Sequence, residues 1–241
     1  MSSERTRYNI VDLDVSSSLD ILSLIRQESY FKFIDYSIYC SDSIACYIEE
    51  SLLISSNYFF GIYDKNKVVG MCQCIDKGDY IFLNHIVVSD YYKGQGIGKC
   101  LFDCFVNLGQ CYHKPIKLNV DSRNLLAIEW YKRLGMTTDS KTEFTIFNTY
   151  RECINMNFYF TVNDNKNFEK FGFSHFTYEN TEFGIICNKV VNLVNGKSEI
   201  IEKISRDLAY PTMILPFGSR PKHYLGKGIF SDLNILTMSK Q

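Results

Sequence analysis

The sequence lacks a net charge, a long apolar run and an apolar leader, and each lack removes a class of function. Its 241 residues carry 26 Lys+Arg against 27 Asp+Glu, a formal net charge of −1, so no general field draws the chain to nucleic acid or to an anionic membrane. No apolar run reaches the length of a membrane span. The opening MSSERTRYNIVDLD has no signal-peptide core. A cytoplasmic protein with no membrane and no nucleic-acid partner is expected. Cysteine is not scarce, at nine, but the number is odd and the chain is too large to depend on disulfides, so reduced thiols are expected. What the cysteines lack is ligand spacing. Cys72 with Cys74, Cys100 with Cys104 and Cys111 with His113 show no knuckle pair with two intervening residues, and no metal is expected. The chain is 46% hydrophobic and 22% charged, enough to bury a full core.

Residues 87–99 read VVSDYYKGQGIGK, with Gly94, Gly96 and Gly98 at alternate positions. Spaced glycines let backbone N–H groups form a nest, and a nest that opens a helix favours an anion, most often phosphate. Two familiar phosphate loops fail on counting. A nucleoside-triphosphate loop needs Gly five before Gly98 and Ser or Thr after Lys99, where this chain has Lys93 and Cys100. A dinucleotide fingerprint needs its last glycine at Lys99 or Leu101. The flanks also differ from the parallel units of those motifs. Tyr58–Tyr63, Val68–Ile75 and Tyr80–Val88, with turns at 64–67 and 76–79, read as an antiparallel meander. After the loop, Ile97, Leu101, Phe102, Phe105 and Leu108 recur at helical spacing, with Gly109 placed to stop the helix. Ile116, Leu118 and Val120 then alternate as a strand, and a helix follows through Leu134 to Gly135.

In this order of elements, V-S-D-Y-Y-K-G-Q-G-I-G-K at 88–99 resembles the acetyl-coenzyme A loop of the GNAT superfamily of N-acetyltransferases. Asn124-Leu-Leu-Ala-Ile-Glu-Trp-Tyr131-Lys-Arg-Leu-Gly135-Met136 resembles its second signature, Asn-x-x-Ala-x-x-x-Tyr-x-x-x-Gly-Phe. The resemblance spans about residues 5–160, since a strand at Tyr8–Val11 and a Ser-capped helix from about Leu19 also fit. It departs at Lys93, where the family usually has Arg or Gln, and at Met136, usually Phe. Lysine keeps the charge but loses the planar fork. The implied fold is α/β, a mixed and mostly antiparallel sheet with a splayed parallel strand pair, flanked by helices. The chain exceeds one such domain, so the division is 1–160 for the acetyltransferase domain and 161–241 for a small C-terminal α/β subdomain.

The implied activity is transfer of an acetyl or other short acyl group from coenzyme A to a primary amine, on a small molecule or peptide; a homodimer is left open. Acetyl-CoA is the implied cosubstrate. Its pyrophosphate would meet the N–H groups of Gln95, Gly96, Ile97, Gly98 and Lys99, with Lys93 and Gly94 at the loop's entry. Main-chain groups of Ile86 and Val88 would pair with the pantetheine arm and polarise the acetyl carbonyl. Asn124 would bond the arm, and an Asn before an apolar helix is equally an ordinary N-cap. Tyr131 would give its proton to the departing thiolate; the other reading is a core tyrosine. For the base, the strand before the loop offers Asn84 and His85. Strict alternation puts Leu83, His85 and Val87 on one face and Asn84, Ile86 and Val88 on the other, so only one of the two candidates faces the acceptor. The aromatic segment 29–42 would roof the acceptor site, and at least one of Tyr36 and Tyr39 would contact the acceptor. The competing function is a non-catalytic module of the same fold that binds acyl-CoA; a metal-binding regulator is a third.

Beyond residue 150, Ile154, Met156, Phe158 and Phe160 alternate as a closing strand, and Asn163–Asn167 is a polar boundary. Phe168-Glu-Lys-Phe171-Gly172-Phe173 resembles Tyr131–Met136, either as a degenerate half-copy of the fold or as a helix that ends Gly-Phe by chance. A helix capped by Ser198, a strand at Thr212–Leu215 and a basic loop at 218–228 complete the expectations.

Overall fold

The computed structural model of the chain describes residues 8–148, 162–178, 180–187, 189–192, 212–216 and 229–240. The chain opens with β1 (Ile10–Asp12), α1 (Ser18–Ile25), α2 (Glu28–Phe31) and α3 (Ile44–Leu52). The serine expected to cap α1 does not do so by its side chain. Ser17 makes no capping bond, and Asp14 instead caps a 3-10 turn just upstream, accepting from the Ser16 N–H. The meander follows as β2 (Asn57–Asp64), β3 (Lys67–Asp76) and β4 (Ile81–Val88). Its second turn is tied by Asp76, which accepts the Gly78 N–H at 2.9 Å and an ion pair from Lys114 at 2.7 Å.

The apolar stripe after the glycine loop forms α4 (Ile97–Tyr112), followed by β5 (Ile116–Asp121), α5 (Leu125–Arg133) and β6 (Thr137–Asn148). Gly109 does not stop α4, which runs on to a left-handed cap at His113. It serves close approach: a Cβ there would stand 2.4 Å from Ile116 Cγ2. The remaining elements are α6 (Val162–Phe171), β7 (Phe173–Tyr178), β8 (Thr181–Ile186), β9 (Lys189–Asn192), β10 (Thr212–Pro216) and β11 (Ile229–Lys240). The polar run expected as a boundary is helical, forming the exposed turns of α6, where Asn165 bonds Glu169 one turn on. The expected strand at 154–160, the helix from Ser198 and the loop 218–228 lie outside the described residues.

Among the described residues all strands join one sheet, in the order β1-β2-β3-β4-β5-β11-β6-β10-β9-β8-β7. Neighbours are antiparallel except β4–β5 and β9–β10. The fold is thus mixed and mostly antiparallel, as expected, with β7–β10 and α6 as its smaller C-terminal part. The position of β11 departs from a simple division at residue 160. This last strand lies between β5 and β6, pairing Ile235–Lys240 with Asp121–Ile116 and Ile229–Ser239 with Asn148–Thr137.

Two apolar layers hold the sheet. On one face Ile97, Leu101, Phe102 and Phe105 of α4 and Ile128 and Tyr131 of α5 pack on Ile81, Leu83, Ile116, Leu118 and Met238. On the other, Ile21, Leu24 and Ile25 of α1 and Ile44 and Ile48 of α3 cover Phe59, Val68, Met71 and Val87. Each fully buried side chain of this size contributes about 1.5–3 kcal/mol. Among the described residues no helix is long and apolar enough to cross a membrane.

Candidate active site

The site begins where β4 and β5 part. Their parallel pairing runs from Ile81↔Ile116 to Leu83↔Leu118 and goes no further, although both strands continue, to Val88 and Asp121. At the parting point the β3–β4 register slips, with Gln73 opposite His85 and Cys74 opposite Leu83, so Asn84 is an extra residue. This bulge corrects the expected alternation. Leu83 packs in the α4 layer while Val87 packs in the α1 layer. Asn84 and His85 consequently meet the same side chain: Asn84 Nδ2 donates to the Tyr39 hydroxyl at 3.3 Å, and the His85 and Tyr39 rings lie edge to face at 4.4 Å. Both candidates, rather than one, face the aromatic segment.

A cavity of about 1460 Å³ fills the parting. Asn84, His85, Ile86 and Val88 line it from β4, Asp121 from the end of β5, Trp130 and Tyr131 from α5, and Tyr30, Tyr36 and Tyr39 from the segment between α1 and α3. Gly94, Gly96, Ile97, Gly98 and Lys99 line one end.

At that end Gly94 and Gly96 have φ of 76° and 88°, a left-handed backbone that costs other residues about 1–2 kcal/mol. A Cβ at either would meet nothing within 4 Å, so the glycines serve backbone shape, and the cradle stands open. The first helical bond of α4 here runs from Cys100 N–H to Gly96 O at 3.1 Å, leaving the preceding N–H groups directed out of the helix start. The side-chain cations beside this nest are engaged. Lys93 pairs with Asp90 at 2.5 Å and donates to Ser29 at 2.9 Å, and Lys99 pairs with Asp103. Gln95 donates to Tyr91 O at 3.2 Å and accepts from the Tyr8 hydroxyl at 3.4 Å. Attraction for an anion rests there on backbone and helix dipole.

Toward the middle, Asn124 caps α5, its Oδ1 accepting from the Ala127 N–H at 3.3 Å, and its side chain also lines the cavity. Val88 O accepts from Gln27 Nε2 at 3.0 Å. Tyr131 is buried in the layer under α5, and burial pushes its phenol above the ordinary value.

His85 is 4% exposed, and its Nδ1 lies 2.7 Å from the Tyr30 hydroxyl. Its buried Nε2 has no partner among the described residues. Burial pushes His85 down to about 3, so the ring is neutral at physiological pH. Burial raises Tyr30 well above its ordinary value, and the phenols of Tyr131, Tyr39 and Tyr36 add to the shift. All four of these tyrosines line the one cavity. At the β5 end, Asp121 is 5% exposed and accepts from Arg123 Nε at 3.0 Å and from its terminal nitrogen at 2.6 Å. Tyr36 is raised by burial first and by Asp121 next, while Arg123 opposes the shift.

Sequence reasoning assigned no site role to Gln27, Tyr30, Asp121 or Arg123. Asp121 and Arg123 directly precede Asn124, a signal within reach. Gln27 and Tyr30 meet β4 only through the tertiary fold.

A glycine nest at the start of a helix, beside a parted parallel strand pair, defines an α/β protein built to hold an anionic ligand along its sheet. Residues 20–136 match the acetyltransferase (GNAT) family model, so this part of the chain is similar to a GNAT acetyltransferase domain. No curated protein matches the sequence. Among solved structures, a candidate acetyltransferase from Pyrococcus horikoshii aligns with 99% of this chain and 91% of its own, at 16% identity and a TM-score of 0.66. At that identity it bears on fold alone. The PaiA N-acetyltransferase of Thermoplasma acidophilum, in complex with coenzyme A, aligns with 56% of this chain and 92% of its own, at 14% identity and a TM-score of 0.47. The ribosomal-protein-S18-alanine N-acetyltransferase of Escherichia coli aligns with 55% and 79%, at 15% identity and a TM-score of 0.45.

Proposed function

We propose that the protein is an acetyl-CoA-dependent N-acyltransferase that acylates a primary amine by direct attack. The observation that carries this reading is the continuity of one cavity from the open nest at Gly94–Lys99 to the Tyr30, Tyr39 and Tyr131 cluster, past the unpaired ends of β4 and β5. Acetyl-CoA supplies an activated acyl thioester. The N–H groups of Gln95–Lys99 hold its pyrophosphate, with Lys93, which is paired with Asp90, at the loop's entry. Main-chain groups of Ile86 and Val88, released from strand pairing on the β5 side, receive the pantetheine arm, and Asn124 flanks it. Tyr131 is protonated at neutral pH and donates to the sulfur as it departs. Asn84 and His85, facing Tyr39, position the acceptor under Tyr36 and Tyr39. His85, held neutral by burial, orients through hydrogen bonds rather than by taking the proton. The amine then reacts as its free base and releases its proton to solvent.

The second reading, a module that binds acyl-CoA without turnover, is favoured by two observations. His85 is pushed down to about 3, and Asp121 is held by Arg123, so neither stands ready as a base. Two measurements separate these readings. Calorimetric titration with coenzyme A tests the nest: Gly96→Glu places a bulky anion at a left-handed position and is expected to abolish binding, and unchanged affinity would overturn the assignment. A panel of amine acceptors assayed for coenzyme A release then tests turnover. Binding without release from any acceptor favours the module.

A further inference from the structure

Outside the cavity, one cluster of reactive side chains joins the aromatic segment to the C-terminal part of the fold. Cys40 follows Tyr39, and its Sγ lies 3.7 Å from Sγ of Cys187 in the β8–β9 turn. Both cysteines are free and half-buried. Lys189 donates to the Cys40 sulfur at 3.4 Å and to Asp35 O at 3.1 Å. Neighbouring bonds fix both sides of the contact. Ser41 donates to Phe171 O at 2.6 Å, and the Cys187 N–H donates to Gly172 O at 2.7 Å.

We propose that Cys40 and Cys187 form a modification site, a thiol pair that closes into a disulfide by exchange with a small disulfide such as oxidised glutathione. The sulfurs must approach from 3.7 Å to about 2.05 Å, a shift within the reach of side-chain rotation. Cys40, whose sulfur accepts from the Lys189 ammonium at 3.4 Å, is the entering nucleophile, and burial, with Cys40 as neighbour, pushes the Cys187 thiol up to about 11. The Cys40 thiolate attacks one sulfur of the small disulfide and expels a thiolate. The Cys187 thiolate then attacks the Cys40 sulfur of the mixed disulfide and expels the second. Two protein thiols are oxidised, one small disulfide is reduced to two thiols, and the two protein protons leave with them. Of the other cysteines, Cys72 and Cys74 are fully buried and out of reach of such a reagent, while Cys46 and Cys111 are exposed. The cross-link fastens the segment that carries Tyr36 and Tyr39 to the C-terminal strands, so the redox state sets how freely the cavity's aromatic side opens.

The test needs no acceptor. The full-length protein is equilibrated across ratios of oxidised to reduced glutathione, quenched by alkylation and digested without reduction. The expected product is one linked pair of peptides containing Cys40 and Cys187, with glutathione itself confined to exposed sites such as Cys46 and Cys111. The oxidised protein is expected to melt several degrees above the reduced one, a difference that vanishes in Cys187→Ser. Lys189→Ala is expected to slow cross-linking several-fold. Recovery of Cys40 and Cys187 as separate glutathione adducts, or as free thiols where Cys46 has reacted, would overturn the proposal. An unchanged rate in Lys189→Ala would remove that residue's part.

Discussion

At the scale of single residues, Tyr131 and His85 make opposite demands on burial. Tyr131 lies in the α5 layer and lines the cavity, and its raised phenol keeps the proton it is proposed to donate. Tyr131→Phe removes only the hydroxyl. Turnover should fall about a hundredfold, the scale of one general-acid contribution, while coenzyme A affinity stays nearly unchanged. A lower melting temperature with normal turnover would mark Tyr131 as structural. Burial holds His85 at about 3 against an ordinary 6.5. Below 6.5 the unfolded chain takes up a proton that the folded chain refuses, so stability falls as pH drops from 6.5 toward 3. This group alone contributes up to about 1.4 kcal/mol per pH unit in that window. Above it the ring is neutral in both states and adds no pH dependence. His85→Gln should flatten melting temperature against pH on the acid side of neutrality. A profile identical to wild type would show that His85 titrates normally.

At the scale of elements, α4 has two ends with separate duties. Its first turn, after the left-handed glycines, presents N–H groups to the cavity; its last turns hold β5 through Gly109. The added Cβ in Gly109→Ala would meet Ile116 Cγ2 at 2.4 Å and Lys114 O at 3.1 Å. Accommodating it means moving strand or helix, a loss of about 1–3 kcal/mol. The twelve steps from Ile97 to Gly109 amount to about 18 Å of helix. The variant should therefore melt earlier yet bind coenzyme A almost as wild type does. A large loss of affinity at unchanged stability would contradict this division. In β4 the extra residue at Asn84 both ends the pairing with β5 and brings two successive side chains to Tyr39.

At the scale of the whole molecule, the sheet is completed by the end of the chain. β11 bridges β5 and β6, burying Leu233 and Met238, and Ser122 N–H bonds Asn234 O at 2.9 Å. Removing it would strip hydrogen-bonding partners from two strands at once and expose the core beneath α5. A chain truncated after residue 228 should therefore aggregate or melt without cooperativity. A soluble product with the full-length melting profile would mean that β11 adds nothing essential. The C-terminal part also braces α3, which follows the aromatic segment, through Phe171 and Phe173 against Tyr47 and through the Lys170–Glu50 ion pair.

Local pattern determined much of this protein. Turns at 64–67 and 76–79 marked the meander, alternation marked β5, helical spacing marked α4, and the glycines at 94, 96 and 98 with Asn124, Tyr131 and Gly135 carried the family resemblance. These signals lie within a dozen or so consecutive residues, because strand and helix periods are properties of neighbouring positions. The remainder required contacts between distant segments. No local period places 229–240 between 116–121 and 137–148, since the pairing is set by which edges remain open once the other strands have formed. The slip at Asn84 depends on the register with Gln73 and Cys74, and it brings both Asn84 and His85 to Tyr39, where strict alternation would bring only one. Tyr30 meets His85, and Cys40 meets Cys187, only because packing carries helix and turn over the sheet, where burial and partner geometry decide what each side chain can do.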